Sequence, residues 1–260
     1  MICKIFFSFC IIISSVFVEN SFAGTANALL VVEQAAGKLT SFDSFSGENL
    51  GSVNIGFNPH EIEVSPDGGT AYVSNFGIQD YDESIGTPGK SISVIDLKAM
   101  KELRRFDTGV DAAPHGLKLR PPFHEELFVN VEKGHAILVF DVTSGRIMRR
   151  IPVDPHTHNM LFSDDGNSLW LMAGPSGVIK INATTGMEVG RFHLSSPARG
   201  LAFSPDKKSL LVAGRGELGI FDVQSLRLIK HFQNLGVGQI LYATFTPDGS
   251  KIIAPAVWDS

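Results

Sequence analysis

A turn that recurs about every 42 residues constrains this chain more than any other feature of its sequence. It first appears as Ser65-Pro66-Asp67-Gly68, where proline fixes the backbone angle φ and Asp followed by Gly completes a type I turn. Corresponding turns begin at residues 65, 120, 163, 204 and 246, so they are 55, 43, 41 and 42 residues apart. An apolar residue followed by Asp or Asn keeps nearly the same period, with the polar residue at 96, 141, 182 and 222. Two landmarks with one period indicate a structural unit that is repeated along the chain.

Short strands flank each turn. Ile62 and Val64 alternate with polar residues before the first turn, and Ala71-Tyr72-Val73 follows it, as expected for half-buried strands. Apolar segments rich in β-branched residues predict a third strand at 91–96, 136–141, 177–182 and 216–222. A fourth strand follows, and no segment shows sustained helical periodicity. The predicted fold class is therefore all-β, a β-propeller with one four-stranded, WD40-like blade per repeat.

The repeats divide the chain into a leader and one predicted propeller domain. Residues 1–23 combine Lys4, an apolar run and the small residues of Ser21-Phe22-Ala23, a pattern typical of a secretory signal peptide, with a signal anchor as the alternative. Residues 24–260 form the propeller domain. Its predicted parts are a partial blade at 24–57, complete blades at 58–110, 113–153, 154–194 and 196–236, and a partial blade at 237–260.

The ring can be completed in two ways. The two partial blades together can close a ring of five, or the five visible repeats belong to a larger ring of about seven blades. We expect the second arrangement, in which this chain is a fragment, because an open sheet edge exposes unpaired backbone groups.

Charge and composition limit the classes of binding partner and the cellular location that we expect for this protein. The formal net charge is -5 and no basic run occurs, which disfavours nucleic acid or anionic lipid as a partner. Both cysteines, Cys3 and Cys10, lie in the leader, so the mature chain is predicted to contain no disulfide. No later segment is long and apolar enough to span a membrane after cleavage of the signal peptide. The protein is therefore expected to be exported, to a periplasm or to the extracellular space.

The repeat register selects candidate site residues. The residue five positions before each turn begins the innermost strand of a blade, so these residues should surround the mouth of the central channel. They are His60, His115, His158, Arg199 and Leu241. Three imidazoles can bind a transition metal or a haem. Alternatively, protonated histidine and Arg199 can hold a small anionic ligand, or each histidine only contacts backbone at the start of its strand.

Other polar groups carry weaker signals. His156 and His158 would face the same way on a strand, whereas the spacing means little in a loop. Glu61 and Glu63 flank Ile62 and are candidates for an acid and a base, or are carboxylates that face a wet channel. The remaining mature histidines fall at turns or outer strands and are expected to be solvated: His124, His135, His193 and His231.

The insertion at 77–90 is longer than an ordinary blade loop, and long loops on a rigid scaffold often carry function. Asp80, Asp82 and Glu83 offer oxygen ligands for calcium, although their spacing matches no known calcium loop and a solvated acidic loop is the alternative. Because the insertion follows the second inner strand, we expect it near the channel mouth, where it would cover the histidines.

The segments around the first complete repeat resemble the YVTN-type repeat of bacterial β-propellers. They are Pro59-His60, Ser65-Pro66-Asp67-Gly68, Tyr72-Val73-Ser74-Asn75, Gly86-Thr87-Pro88-Gly89-Lys90 and Ser91-Ile92-Ser93-Val94-Ile95-Asp96. The resemblance covers residues 26–260. It departs at Arg120-Pro121-Pro122-Phe123, at Asp164 in place of proline, and at Arg199 and Leu241 in place of histidine. It implies the propeller fold but little about function, because the family consists mostly of exported propellers of unassigned role.

Two functional hypotheses follow. The first is an exported, non-catalytic propeller that binds a small ligand or a protein partner at the channel mouth and the 77–90 loop. The second is a periplasmic enzyme or cofactor-binding propeller, since related propellers include lactonases and the haem-binding propeller of nitrite reductases. A structural interaction module without a ligand is a third possibility. No nucleophile elbow, phosphate-binding glycine loop or Cys/His zinc spacing is present in the sequence.

Overall fold

A computed structural model describes residues 27–79 and 84–257. The predicted signal peptide at 1–23 and the acidic loop residues Asp80, Asp82 and Glu83 lie outside these described residues. Within them the regular structure is β-strand, apart from a single 3₁₀ turn at Glu132–Gly134, which confirms the all-β prediction. None of the described segments is a helix of the length and apolarity that a membrane crossing requires.

The chain divides into two compact units, one ending at His115 and the other beginning at Gly116. The first unit holds an antiparallel three-stranded sheet in the order β1-β2-β3 and an antiparallel four-stranded sheet in the order β4-β5-β6-β7. The seven strands are β1 Ala28–Glu33, β2 Lys38–Asp43, β3 Asn49–Asn54, β4 Pro59–Val64, β5 Thr70–Asn75, β6 Ser91–Asp96 and β7 Lys101–Asp107.

Three further four-stranded sheets follow in consecutive order, β8 to β11, β12 to β15 and β16 to β19. Strand β8, at Pro114–Leu119, begins at the boundary of the units. The others belong to the second unit and are β9 Glu126–Val131, β10 Ala136–Asp141, β11 Ile147–Pro152, β12 Asn159–Phe162, β13 Ser168–Met172, β14 Val178–Asn182, β15 Glu188–Phe192, β16 Gly200–Phe203, β17 Ser209–Ala213, β18 Leu218–Asp222 and β19 Leu228–Phe232.

The last described segment is a hairpin made of two short strand pairs. Strand β20 (Gln239–Ile240) pairs with β23 (Ala256–Val257), and β21 (Thr244–Phe245) pairs with β22 (Ile252–Ile253). The sequence predicts two strands for this segment. The hairpin has two strands, and each of them is interrupted once. The assignment of residues 24–260 to one propeller domain stays a prediction.

The recurring turn has the predicted hydrogen bond. The N–H of Gly68 donates to the carbonyl of Ser65 over 2.8 Å, and the turns that begin at residues 163, 204 and 246 repeat this bond over 2.8–2.9 Å. The Ser65 hydroxyl also donates to the Asp67 carboxylate, and this bond lowers the pKa of Asp67. The turn at Arg120 differs, because the bond to its carbonyl comes from His124, one residue later.

A β-bulge also recurs from sheet to sheet. The register shifts by a bulge between the third and fourth strands of the four complete sheets, and between β2 and β3 in the three-stranded sheet. The three-stranded sheet therefore corresponds to strands two to four of a repeat, as the sequence predicts. The turn after each bulge is capped by Asp or Asn, for example at Asp43, whose carboxylate accepts the N–H of Ser46 over 2.7 Å.

Each unit contains its own apolar cores. In the first unit, Leu39, Ile62 and Val73 are buried in one cluster that joins the two sheets. In the second unit, Ile137 and Val139 of one sheet share a buried cluster with Ile179 and Ile181 of the next. Burial of each of these side chains contributes about 1.5–3 kcal/mol relative to exposure, so contacts between successive sheets supply much of the stability.

Candidate functional site

Two of the predicted site residues come together in the first unit. His60 is the second residue of β4 and His115 the second residue of β8, because both occupy the same position in the repeat. Their imidazole rings are in contact, with centroids 3.9 Å apart and planes tilted by 43°. Both side chains are buried, with 3% of His60 and none of His115 exposed.

A carboxylate joins this pair. Glu61 follows His60 and is 5% exposed, and its Oε1 lies 4.0 Å from Nδ1 of His60. One donor atom from each of His60, Glu61 and His115 lies within 4.8 Å of the other two. Neighbours on a regular strand face opposite ways, but the pairing of β4 with β5 shifts between Pro59 and Ile62, where a bulge redirects side chains. We refer to these three residues as the His60 cluster.

Ser74 of β5 stabilises the irregular backbone beneath the cluster. Its hydroxyl accepts the N–H of Glu61 over 3.0 Å and donates to the carbonyl of Glu61 over 3.4 Å. These two bonds replace ladder bonds that the register shift interrupts, so the backbone of Glu61 is held while its side chain points toward the imidazoles.

Phe76, the residue between β5 and the 77–90 insertion, packs on the cluster. Phe76 meets the rings of His60 and His115 edge-on, with centroid distances of 5.5 and 5.2 Å. Phe76, Ile78 and Ala113 form a small buried core above these contacts. The insertion closes on itself through the N–H of Gly89, which donates to the carbonyl of Phe76 over 2.7 Å. Phe76 therefore contacts the histidines, and Ile78 of the insertion packs against Phe76. The expectation that the insertion covers the histidines stays a prediction.

Glycine makes this closure possible. Gly77 has φ of +87°, and a Cβ at this position would lie 2.3 Å from the backbone nitrogen of Gly89. Only a residue without a side chain allows the two arms of the insertion to approach so closely.

The electrostatics of the His60 cluster favour a cation. Two imidazoles in contact would repel each other strongly if both were protonated, and a bound metal ion takes the place of those protons. A carboxylate beside two imidazoles attracts a cation more than an anion. The small anionic ligand at the channel mouth stays a prediction.

The donor set also fits a metal ion chemically. Two histidine nitrogens and one carboxylate oxygen are ligands that Zn²⁺ and other divalent first-row transition metals prefer. In a tetrahedral zinc site such donors are about 3.3 Å apart. Donor atoms within 4.8 Å of one another are near that spacing.

The other predicted positions lie in the second unit. His158 immediately precedes β12, and its Nδ1 is 2.5 Å from Oε1 of Glu132, so the carboxylate orients this ring. Arg199 precedes β16, and its side chain is exposed. Leu241 lies between β20 and β21. The backbone N–H of His158 donates to Met172 of β13, and that of Arg199 donates to Ala213 of β17, both over 2.8 Å. A single site shared by all the candidate histidines and Arg199 stays a prediction.

His156 does not form a strand pair with His158. Its φ of +66° and its position before β12 place it in a turn, in which Thr157 donates to the carbonyl of Asp154. Glu63, the other candidate carboxylate of β4, is only partly buried and is not part of the His60 cluster.

One histidine prediction is wrong. His231 was expected to be solvated, but its Nε2 is 2.6 Å from Oε2 of Glu217, a residue that is 4% exposed. The other oxygen of Glu217 accepts both the backbone N–H and the hydroxyl of Ser196 over 2.6 and 2.5 Å. Burial raises the pKa of Glu217, but the bonds from Ser196 and His231 outweigh it, and the pKa lies below its ordinary value. We refer to Ser196, Glu217 and His231 as the Glu217 cluster.

No protein-family model matches this chain, and no curated protein is significantly similar to it. The YVTN-type resemblance therefore stays a prediction, and the site must be interpreted from its own geometry.

Proposed function

We propose that this chain is an exported, non-catalytic β-propeller protein that binds one divalent transition-metal ion through His60, Glu61 and His115. The observation that carries the proposal is the convergence of these three buried side chains, drawn from two successive repeats, within 4.8 Å. A structural role for the two histidines does not by itself require a carboxylate to be buried at the same point.

The propeller interpretation is supported by the repeat. Consecutive four-stranded antiparallel sheets of one size, each with the same turn and the same bulge, are the pattern that propeller blades produce. Under this interpretation His60 and His115 begin the first strands of successive blades, where strands line the central channel. The number of blades stays a prediction, and so does the YVTN-type family.

Burial argues for binding rather than catalysis. A catalytic metal keeps a coordination position open to water and substrate, whereas a structural metal is enclosed by the protein. The three residues are at most 5% exposed, and Phe76 covers both imidazoles. The ion would therefore connect the start of β4 to the start of β8 and stabilise the folded chain.

The geometry disfavours a haem at this position. Imidazole rings with centroids 3.9 Å apart leave no room for a porphyrin between them. A small ion needs only the space that the three donor atoms already surround.

Metal titration tests the proposal. The mature chain, freed of metal by a chelator and dialysed, is titrated with Zn²⁺ and with Mn²⁺ by calorimetry, and the bound metal is counted by elemental analysis. We expect one ion per chain, and a stability gain of about 2.7 kcal/mol when the free ion is at 100 times its dissociation constant.

Matched variants identify the ligands. His60→Gln, His115→Gln and Glu61→Gln should each weaken binding by at least about tenfold, because each removes one of three ligands. His135→Gln and His193→Gln alter exposed histidines of the same chain and should leave the affinity unchanged. Unchanged affinity in a His60→Gln, His115→Gln double variant, or no binding by the parent chain, would overturn the proposal.

A further inference from the structure

A cavity of about 380 Å³ lies beside the Glu217 cluster in the second unit. Three segments line it: the connection at 195–196, the loop between β17 and β18 at 215–217, and the connection at 233–237. The loop belongs to the complete sheet β16 to β19, and one connection precedes this sheet in the chain while the other follows it. The volume falls within the range of about 300–1,000 Å³ that is typical of small-molecule sites.

Hydrogen bonds fix the first connection to the loop. The carboxylate of Glu217 accepts the backbone N–H and the hydroxyl of Ser196, over 2.6 and 2.5 Å. The hydroxyl oxygen of Ser196 in turn accepts the backbone N–H of Arg215 over 2.8 Å. These bonds place the backbone of Arg215 and the carboxylate of Glu217 at the same wall of the cavity.

The second connection is fixed to the same loop. The N–H of Gly216 donates to the carbonyl of Gly238 over 2.8 Å, and the N–H of Leu235 donates to the carbonyl of Gly216 over 3.1 Å. The side-chain amide of Gln233 joins the two connections, because its Nε2 donates to the hydroxyl oxygen of Ser195 over 3.3 Å. The three segments therefore hold one another in place, and a preorganised cavity loses little conformational entropy on binding.

The polar lining is particular to this repeat. In the preceding repeat, the residues at the equivalent places are Pro155 for Ser196, Gly174 for Arg215, Gly177 for Glu217 and His193 for Gln233. Three of these four lining residues thus stand where the preceding repeat has proline or glycine. The lining is therefore not a consequence of the repeated fold.

The charges of the lining favour a neutral ligand. Glu217 is 4% exposed, and its carboxylate accepts hydrogen bonds from Ser196 and His231. A buried negative charge at one wall repels an anionic ligand, and the guanidinium of Arg215 repels a cationic one. A ligand without net charge avoids both repulsions.

The other polar groups of the lining suit a ligand with several hydroxyls. The hydroxyl of Ser195 and the side-chain amides of Gln233 and Asn234 each offer both a donor and an acceptor. A hydroxyl of a ligand also donates and accepts, so it can pair with any of these groups in either direction. Arg215 adds donors in a planar fork, which can reach two neighbouring hydroxyl oxygens.

We propose that this cavity binds a neutral sugar, either as a free monosaccharide or as the end of a glycan. Arg215, Gln233 and Asn234 contact the hydroxyls of the sugar, and Glu217 holds Ser196 and the loop in place. The cavity and the proposed metal site belong to different units of the chain. Sugar binding at this cavity is therefore a function beyond the metal binding proposed above.

Titration with sugars of different charge tests the ligand class. D-glucose, D-galactose and D-mannose are each titrated into the mature chain, and NMR follows the side-chain amide signals. We expect at least one of these sugars to bind saturably and to shift the signals of Gln233 and Asn234. D-glucuronate and D-glucosamine, an anion and a cation, should bind at least about tenfold more weakly, because each brings a charge near a like charge. The methyl glycoside of each sugar that binds mimics the end of a glycan and so separates the two sources of the ligand.

Matched variants locate the site. Gln233→Ala and Arg215→Met remove contacts to the ligand, and each should weaken sugar binding by at least about tenfold. Gln224→Ala and Arg227→Met change exposed residues outside the lining and should leave the affinity unchanged. Circular dichroism checks that all four variants fold.

Three results would overturn the proposal. They are no saturable binding of any of the neutral sugars, equal affinity in Gln233→Ala and Gln224→Ala, and tighter binding of D-glucuronate than of the neutral sugars. The metal titration of the His60 cluster is a separate measurement on other residues. Failure of one proposal therefore leaves the other standing.

Discussion

The His60 cluster and the Glu217 cluster combine the same chemical groups, a buried carboxylate and imidazole, in opposite ways. In the Glu217 cluster both oxygens accept hydrogen bonds of 2.5–2.6 Å from Ser196 and His231. In the His60 cluster the carboxylate stays 4.0 Å from the nearest imidazole nitrogen of His60, and a second imidazole lies beside it. Three hydrogen bonds to one carboxylate make a structural network, whereas two imidazoles and a carboxylate grouped around one point offer the ligand types of an ion site.

The residues around the two clusters also differ, as expected for a structural network and an ion site. Glu217 links three segments of the second unit: the linker at Ser196, its own hairpin and strand β19. The His60 cluster instead lies under a cover, Phe76, which directly precedes an insertion that other repeats lack. The second unit uses its carboxylate to hold the fold together, and we propose that the first unit keeps its carboxylate for a ligand.

The largest effect is expected from removal of the cover. Phe76→Ala deletes a side chain that is 3% exposed and should lower the free energy of unfolding by about 3 kcal/mol, through lost burial and a residual cavity. It should also speed metal release. Urea unfolding followed by circular dichroism measures the stability, and stopped-flow transfer to a chelator measures the release.

Phe123→Ala is the matched control for this variant. Phe123 is 81% exposed, and its removal should change stability by less than about 0.5 kcal/mol. If Phe76→Ala lowers the free energy of unfolding as little as Phe123→Ala does, or if the rate of metal release is unchanged, Phe76 is not a cover. The proposed difference between the His60 cluster and the Glu217 cluster would then lose support.

A pair of isosteric substitutions compares the carboxylates directly. In metal-free protein, Glu217→Gln should lower the free energy of unfolding by about 2 kcal/mol, because a neutral amide replaces a charged acceptor of three hydrogen bonds. Glu61→Gln should cost less than about 1 kcal/mol, since it also relieves the burial of a charge. If urea unfolding shows that both variants lose the same free energy of unfolding, the distinction between a hydrogen-bond network at Glu217 and an ion site at Glu61 is wrong.

The sequence predicted the repeat better than the site. The turn residues act locally, so the hydrogen bond from Gly68 to Ser65 and the cap at Asp43 were both predictable from a few neighbouring residues. The bounds of β6 and β10 coincide with the predicted strands at 91–96 and 136–141 for the same reason. Repeat register also placed His60 and His115 at equivalent strand positions.

What the sequence did not predict depends on irregular backbone or on distant partners. The bulge in β4 that directs Glu61 toward the imidazoles leaves no signal in an alternating pattern, so Glu61 was only one of two candidate carboxylates. The bond between His231 and Glu217 joins different strands, and outer-strand periodicity alone made His231 look solvated. Phe76, which covers the site, accepts a bond from Gly89 across an insertion whose closure no periodicity describes.

Acid should remove the contribution of Glu217 in a defined direction. Burial raises the pKa of this carboxyl, but the bonds from Ser196 and His231 outweigh burial, so the pKa in the folded chain lies below the ordinary value of 4.5. A group whose pKa is lowered by folding stabilises the fold above its unfolded pKa and loses that contribution as pH falls through the folded pKa. The stability difference between the parent chain and Glu217→Gln should therefore be full at pH 6 and shrink below pH 4.5. A difference that grows on acidification would mean that the carboxylate is not held by these bonds.

The smallest effect is expected at Asp248, where hydrogen bonds lower the pKa of a carboxyl that is not buried. Asp248 lies at an exposed turn, and bonds from the Thr246 hydroxyl and then from the backbone and hydroxyl of Ser250 lower its pKa from 3.8 to about 2. Thr246→Val removes the largest of these causes, so the pKa of Asp248 should move back toward 3.8, while Ser250→Ala should move it less. A carboxyl-carbon titration by NMR measures both shifts. If the Asp248 pKa is already near 3.8 in the parent chain, short hydrogen bonds do not by themselves hold a carboxylate in its charged form here, and the lowered pKa of Glu217 would need another cause.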